Sequence, residues 1–248
     1  MRTAVTVTVR MKSERLPQKA MKLLEGKSLI EHLIERLKMT KLPDEIILCT
    51  STNPQDDVLV KVAKKNDIEA FRGDETDVLD RLLKAAKKYN VDFIVSTTGD
   101  NPFTEPRYVD KLIEKFRKTN ADYITCFGLP FGAFSYGVKI KVLETVVKLK
   151  KEKDTEIWGV YFSHSKMFHV EKVEVEEELR HPEIRLTVDT PKDFRFIQEI
   201  FRKLYKPGKI IELREVINLL KKCPELLEIN KNIKQRETPL VDLSRFDK

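Results

Sequence analysis

The stretch Thr3-Ala-Val-Thr-Val-Thr-Val9, followed at once by Arg10-Met-Lys-Ser-Glu-Arg-Leu-Pro-Gln-Lys19, decides the fold class of this chain. Its first part is a run of β-branched and small residues that stops at a charge, which predicts a short buried strand. The polar loop is followed by an amphipathic helix that begins after Ser28, where Glu31 completes a capping box. A strand, a loop and a helix in this order predict the first unit of a parallel sheet with crossover helices.

The same unit recurs along the chain, without an internal sequence repeat. Strands are predicted at Glu45–Thr50, Ile68–Phe71, Asp92–Thr98, Ala121–Cys126, around Phe168–Val175 and at Arg185–Val188. Further helices are predicted from the Asn53-Pro54 start to Asn66, from a Thr76 cap to Tyr89, and at Pro106–Thr119, Lys141–Lys151, Ile157–Ser165, Pro191–Tyr205 and Leu213–Leu220. The stretch Gly128–Gly137 is rich in glycine, proline and aromatic residues and is interpreted as a loop beside a site. The pattern predicts an α/β fold with a mostly parallel central sheet flanked by helices.

Composition narrows the class further. A chain of 248 residues that is 41% hydrophobic can bury a full core, and we expect one domain at residues 1–232 followed by a C-terminal tail at 233–248. The three cysteines are far apart, which predicts a reduced compartment. The apolar opening is too short to span a membrane, so we expect a cytoplasmic protein with no membrane partner.

The net charge of +7 favours an anionic partner such as a nucleotide, a carboxylated sugar or a nucleic acid. Most of the positive residues alternate with glutamate on amphipathic helices, which is typical of solvated faces. The densest basic region, residues 202–222, lacks the interleaved aromatic residues of a nucleic-acid platform, so no nucleic-acid partner is expected.

The loop after the first strand is the first candidate site. Ligands of parallel α/β sheets bind beyond the carboxyl ends of the strands, and the loop leaving the first strand lies there. Arg10, Ser13, Arg15 and Lys19 could wrap a triphosphate, because both arginine and lysine bind phosphate oxygens. A merely basic exposed loop would have the same spacing.

Two aspartates each follow a predicted strand. Asp100 ends the run Thr97-Thr-Gly-Asp100 and Asp189 ends Arg185-Leu-Thr-Val-Asp189. Carboxylates at this edge, together with phosphate oxygens, suit a hard divalent cation. The alternatives are a simple turn at Asp100 and a helix-starting acid at Asp189. Two strand-end carboxylates and a cationic loop together favour metal-assisted transfer at a phosphate.

The ordered motifs resemble those of the acylneuraminate and spore-coat-polysaccharide cytidylyltransferases, which are kin of the CMP-KDO and CMP-sialate synthetases. The opening is similar to the family's R-M-G-S-x-R-L-P-x-K signature, and the resemblance continues to about residue 232. The matching segments after the opening are Phe71-Arg-Gly-Asp74, Val78-Leu-Asp-Arg81, Gly99-Asp100, Arg185-Leu-Thr-Val-Asp-Thr-Pro191 and Pro224-Glu-Leu-Leu-Glu-Ile-Asn230.

This resemblance implies a Rossmann-like, glycosyltransferase-A-type nucleotidyltransferase, usually a homodimer, that uses Mg²⁺ to move a cytidylyl group from CTP to an acidic sugar for surface glycan biosynthesis. By the same resemblance, Arg10, Arg15 and Lys19 are catalytic and bind the triphosphate with Ser13. Arg72 and Asp100 join the nucleotide site, and Asp100 with Asp189 holds the metal.

Two loop positions depart from the family pattern. Lys12 and Gln18 stand where glycine is usual or frequent, which predicts a reshaped loop or a fourth cation in place of backbone amide contacts. Two alternative functions therefore stay open: transfer from another nucleotide such as UTP or GTP, and a catalytically lapsed nucleotide-binding protein. All three readings require the N-terminal loop, Asp100 and Asp189 to converge.

Overall fold

A computed structural model of the chain describes residues 1–164, 166–237 and 240–246. The strands, in chain order, are β1 (Thr3–Thr8), β2 (Leu23–Leu24), β3 (Lys27–Ser28), β4 (Glu45–Ser51), β5 (Glu69–Gly73), β6 (Phe93–Thr98), β7 (Tyr123–Thr125), β8 (Tyr136–Lys139) and β9 (Val170–Lys172). The α-helices are α1 (Leu29–Leu37), α2 (Asp57–Lys65), α3 (Val78–Lys88), α4 (Pro106–Thr119), α5 (Ile140–Leu149), α6 (Val160–Ser163), α7 (Pro191–Leu204) and α8 (Leu213–Lys222). Short 3₁₀ helices lie at Lys19–Met21, Pro54–Asp56, Glu177–Leu179 and Pro224–Ile229.

The described strands form a seven-stranded sheet in the order β5-β4-β1-β6-β8-β7-β9. β1 is central and pairs in parallel with both β4 and β6, so that Val7 lies between Leu48 and Thr97. β8 runs antiparallel to its neighbours β6 and β7. The predicted α/β class with a mostly parallel sheet is confirmed.

A hydrophobic core lies on each face of the sheet. Side chains alternate along β1, so Val5 and Val7 join the core under α1, α2, α4, α7 and α8, whereas Ala4 joins the core under α3, α5 and α6. Full burial of a valine side chain such as Val5 or Val7 contributes about 1.5–3 kcal/mol to folding. The two helical layers hold the central strands and thereby fix the edge at which their carboxyl ends meet.

Local signals set most helix starts. Ser28 and Glu31 form the predicted capping box of α1, and Thr190 caps α7 as predicted, with Asp193 completing that box. The predicted Thr76 cap of α3 is wrong. Asp77 accepts from the Asp80 amide instead, because both the amide and the hydroxyl of Thr76 donate to Asp74 in the preceding turn.

Three other predictions are corrected by the structure. Residues 185–188 do not form a strand but an extended segment with one isolated bridge, between Phe131 and Arg185. The segment predicted as a loop at Gly128–Gly137 ends inside β8, where a Cβ on Gly137 would lie 2.4 Å from the Phe93 ring. The predicted helix at Ile157–Ser165 is shorter, and Ser165 lies outside the described residues.

The predicted tail returns to the domain. Phe246 is buried against Tyr161 and Phe168. Residues 238, 239, 247 and 248 of the predicted tail lie outside the described part of the chain. Within the described residues, no helix is long and apolar enough to cross a bilayer.

Candidate active site

The carboxyl ends of β1 and β6 meet at one edge of the sheet. Thr8 pairs with Thr98, and the Gly99 amide donates to the Thr8 carbonyl at 2.9 Å. A Cβ on Gly99 would lie 2.6 Å from the Val9 side chain, so the segments that follow β1 and β6 can approach this closely only with glycine at position 99. The loop after β1 and the carboxylate of Asp100 therefore begin side by side.

Asp189 reaches the same edge by a different route. The Val188 amide donates to the Asp100 carbonyl at 2.9 Å, which fixes the segment before α7 against the end of β6. The Lys19 ammonium then donates to Asp100 Oδ2 at 2.5 Å and to Asp189 Oδ1 at 3.0 Å. The three distant pieces of chain thus converge on one cation.

The charges at this point depend on each other. Burial lowers the pKa of Lys19, but the charges and hydrogen bonds of Asp100 and Asp189 outweigh burial, and the pKa is raised. Burial raises the pKa of Asp189, yet Lys19, Arg15 and Arg185 bring it below its ordinary value. Arg15 Nη2 lies 3.0 Å from Asp189 Oδ1. The charged forms of Lys19 and Asp189 are therefore both favoured at neutral pH.

A buried network fixes Asp189 from behind. Arg185 Nη2 donates to Asp189 Oδ2 at 2.8 Å, and Arg185 Nε donates to Asp193 Oδ1 at 2.9 Å. The Asp193 side chain is fully buried and also accepts from Asn230 Nδ2 at 3.1 Å. Because Asp193 also caps α7, the start of that helix and the position of Asp189 are determined together.

Asp100 is held by its own turn. Thr98 Oγ1 donates to Asp100 Oδ1, and Asn101 Nδ2 donates to Thr98 Oγ1 at 2.9 Å. The four carboxylate oxygens of Asp100 and Asp189 all accept hydrogen bonds in this way. A divalent cation would have to replace the Lys19 ammonium between them.

The loop after β1 is held through its backbone. Buried Asp56 accepts from the Met11 amide at 2.7 Å and from Ser51 Oγ at 2.5 Å. Gln18 has a φ of 55°, in the left-handed region where glycine is favoured. Lys12 keeps an exposed ion pair with Glu75 at 3.6 Å. Lys12 and Gln18 both replace a glycine of the family. Of the two, Gln18 has the backbone conformation that favours glycine, and Lys12 does not.

A cleft runs along this edge. It is lined by Thr8, Val9, Arg10, Lys12, Lys19, Ala20, Val78, Arg81, Thr98, Gly99, Asp100 and Glu156. Arg10 lies on the wall opposite the aspartates, where its Nη1 donates to the Glu75 carbonyl at 2.6 Å and its Nη2 lies 3.7 Å from Glu156. A cavity of about 630 Å³ lies elsewhere, between the loops at the amino ends of β4 and β5, which is the edge that parallel sheets do not use for ligands.

Of the predicted site residues, Arg15 and Asp189 pair with each other beside Lys19 without lining the cleft in the described chain. Two others lie apart from both the cleft and this pair. Arg72 donates to the carbonyls of Ser51 and Asn53, at 3.0 and 2.9 Å, and thereby holds the loop after β4. Ser13 Oγ accepts from the Leu16 amide at 3.4 Å, a contact within its own loop. Neither side chain is among those that line the cleft in the described chain.

Sequence reasoning missed several residues that shape the site. Glu156 closes one side of the cleft and pairs with Arg236 at 2.7 Å, and Gln235 accepts from Arg185 at 2.6 Å. The predicted tail therefore contacts both sides of the site. Asp56 carries no local signal, whereas Arg185 lies inside a quoted motif and could have been found from its spacing to Asp189.

The side chains at the site determine which kind of metal ion could bind there. Within the described chain, no three histidine, cysteine, aspartate or glutamate side chains converge as a metal site. Asp100 and Asp189 offer only oxygen atoms, which suit a hard cation that takes its remaining ligands from phosphate and water.

Residues 4–232 match the cytidylyltransferase family. The chain belongs to this family. The spore coat polysaccharide biosynthesis protein SpsF of Bacillus subtilis is 29% identical over 88% of the chain and 94% of its own length. A 3-deoxy-manno-octulosonate cytidylyltransferase of Chloroherpeton thalassium is 28% identical over 66% of the chain and 65% of its own length. These findings confirm the predicted family and the predicted enzyme class, a CTP-using nucleotidyltransferase.

A solved structure shares the fold. The cytidylyltransferase of Leptospira borgpetersenii superposes with a TM-score of 0.84 at 24% identity, over 96% of this chain and all of that one. This likeness confirms the predicted nucleotidyltransferase architecture.

Proposed function

We propose that the protein transfers a cytidylyl group from CTP to an acidic sugar, with Mg²⁺ bound and release of pyrophosphate, in surface glycan biosynthesis. The observation that carries the proposal is the Lys19 ammonium held between Asp100 and Asp189 at the carboxyl edge of the sheet. The resemblance to the CMP-KDO and CMP-sialate synthetases supports an acidic acceptor.

The metal would be held by Asp100 and Asp189. These carboxylates repel each other unless a cation lies between them, and Lys19 supplies that cation in the free protein. Bound Mg²⁺ would supply positive charge to phosphate oxygens during transfer. Lys19 would then be free to bind the triphosphate, since its side chain also lines the cleft.

The remaining groups bind and orient the reactants. Arg10 faces the cleft from the opposite wall and Arg15 stands beside Asp189, so positive charge surrounds the place of the triphosphate on both sides. The acceptor hydroxyl oxygen forms a bond to the α-phosphorus, and the bond from that phosphorus to the bridging oxygen breaks. Pyrophosphate leaves with the electron pair, and the hydroxyl proton goes to solvent. Arginine and lysine side chains stabilise the charge on the phosphate oxygens.

The test follows pyrophosphate release from CTP with Mg²⁺ and a panel of keto-sugar acids. Asp100→Asn keeps the size of the side chain and removes its charge, and we expect a rate loss on the order of 100-fold or more. The matched control is Asp67→Asn, an exposed aspartate on the turn after α2, which should leave the rate unchanged. An undiminished rate in Asp100→Asn would contradict the metal site, and a wild-type protein inactive with every acid would contradict the proposed acceptor.

Nucleotide choice needs a separate measurement. A thermal-shift panel with CTP, UTP and GTP reports binding, because a ligand bound only by the folded state raises its stability. We expect the largest shift with CTP. A larger shift with UTP or GTP would favour the alternative nucleotide. The homodimer stays a prediction of the resemblance, and the cytoplasmic location stays a prediction from the cysteines and the short apolar opening.

A further inference from the structure

Two arginines are almost completely buried in this protein, and they differ in how their charge is balanced. Arg36 and Arg81 are 3% and 1% exposed. Arg36 is on the buried face of α1, where its Nη2 is 3.0 Å from Glu105 and its Nε donates to the Thr104 carbonyl at 2.7 Å. The charge of Arg36 is thus matched by a buried carboxylate.

Arg81 has no such match. Within the described chain, no carboxylate forms an ion pair with it, and its Nε is buried without a hydrogen-bond partner. Its Nη1 donates to the backbone carbonyls of Asp74 at 2.5 Å and Glu75 at 3.4 Å. Burial lowers the pKa of this guanidinium, as it also lowers the pKa of Arg36, so the two sites differ in their ion pairing and not in the direction of this shift.

Neighbouring acids are already committed. Asp74 accepts from the amides of Thr76 and Asp77, and Asp80 pairs with Lys84 at 2.8 Å. Asp56 is held by Ser51 and Met11. Asp56 and Asp74 attract the Arg81 guanidinium by their charge, but none of these carboxylates forms an ion pair with it in the described chain.

A second cation increases the imbalance. Arg10 Nη1 donates to the same Glu75 carbonyl at 2.6 Å, so two guanidinium groups meet at one backbone oxygen. Both side chains line the cleft, together with Lys12 and Lys19. A buried charge without a counter-ion is costly, and the cost falls when an anion arrives in a site of low dielectric.

We propose that Arg81 is a positioning residue for the nucleotide, whose triphosphate supplies the missing counter-charge while the guanidinium holds the 73–77 loop along the cleft wall. The proposal rests on the proposed function, because it requires the cleft to bind a nucleoside triphosphate. It assigns to Arg81 a role in phosphate affinity that is distinct from the purely structural role of Arg36.

The experiment compares paired variants. Arg81→Met and Arg81→Lys are measured beside the matched controls Arg36→Met and Arg36→Lys. Isothermal titration calorimetry with Mg²⁺ present uses three probes: CTP, inorganic tripolyphosphate and cytidine. Thermal unfolding without ligand is recorded for each protein.

The expected result has two parts. Arg81→Met weakens binding of CTP and tripolyphosphate by roughly tenfold or more, whereas Arg81→Lys stays within about threefold of wild type because the charge remains. Cytidine binding is the same in all Arg81 variants. Without ligand, Arg81→Met is less destabilised than Arg36→Met, because its removal leaves no buried carboxylate unpaired.

Several outcomes would overturn the proposal. One is an equal loss of CTP affinity in Arg81→Lys and Arg81→Met, since the role would then be to hold the loop and not to supply charge. Unchanged affinity in both is another, as is failure of Arg81→Met to fold under conditions where Arg36→Met folds. If neither methionine variant folds, the glutamine pair Arg81→Gln and Arg36→Gln takes their place under the same criteria. A wild-type protein that binds CTP and tripolyphosphate but releases no pyrophosphate with any keto-sugar acid would contradict the proposed function and leave the assignment of Arg81 standing.

Discussion

The segment that carries Asp189 is held by buried charge pairs, whereas the loop formed by residues 10–19 is held through its backbone. Arg185 and Asp193 pair inside the protein and fix Asp189 to the start of α7. The loop after β1 depends on Asp56 and on one residue in the left-handed region, Gln18. The two segments therefore have different roles. The segment before α7 keeps the Asp189 carboxylate in place, and the 10–19 loop carries cations that can change partners.

The largest effect expected from breaking this contrast is in Asp193→Ala. The substitution leaves Arg185 with Asp189 as its remaining carboxylate partner and removes the Asp193 half of the α7 capping box, so we expect a loss of about 3–5 kcal/mol in the free energy of unfolding. Urea denaturation measures it. The matched control is Glu215→Ala, which removes a capping box from α8 at a half-exposed position and should cost about 1 kcal/mol. Equal losses in the two variants would show that the buried pair adds nothing beyond the cap.

A smaller effect is expected in acid. The pKa of Asp189 is lowered in the folded protein, so its stabilising contribution is complete above the ordinary aspartate value of 3.8 and is lost as the pH falls through the lowered pKa. Asp189→Asn should therefore flatten the fall in stability below about pH 4, while its stability at pH 7 is lower than that of wild type. Chemical denaturation at a series of pH values measures both, and an unchanged acid slope would contradict the assignment.

The smallest effect is expected in the loop. Gln18→Gly relieves a left-handed backbone at φ 55°, and we expect a gain of about 0.5–1 kcal/mol. Lys12 is not among the described residues with positive φ, so Lys12→Gly should instead lose about 0.5–1 kcal/mol through the unfolded state. Thermal unfolding distinguishes the two. Changes of the same sign would mean that backbone conformation does not separate these positions.

The fold could be predicted where local signals and periodicity agree. β1 is a β-branched run that stops at a charge, Ser28 and Glu31 cap α1, and Pro106–Thr119 matches α4 residue for residue. β8 was not predicted, because it is only four residues long and contains Gly137, a residue type typical of loops. A glycine is needed there because a Cβ would collide with the Phe93 ring. Residues 185–188 have the composition of a strand, but their hydrogen bonds go to loops.

The charged residues of the candidate site could be predicted from the sequence, but the residues that hold them in place could not. Lys19, Asp100 and Asp189 are marked by their positions after predicted strands, and the structure places them within hydrogen-bonding distance. Asp56 and Glu156 act through contacts between residues far apart in sequence, since Asp56 holds Met11 and Glu156 pairs with Arg10. The charged residues of the site lie in short local motifs, whereas the residues that orient them are brought together only by the whole fold.

The ammonium between the two aspartates has a consequence for the order of binding. Because the Lys19 ammonium is part of the chain, it cannot diffuse away from the two aspartates. A metal ion that arrives alone must therefore displace it from them. An ion that arrives already attached to a nucleotide offers that ammonium a new anionic partner in exchange. Under the proposed function, the protein would therefore take up metal and nucleotide as a single package and stay largely metal-free between turnovers.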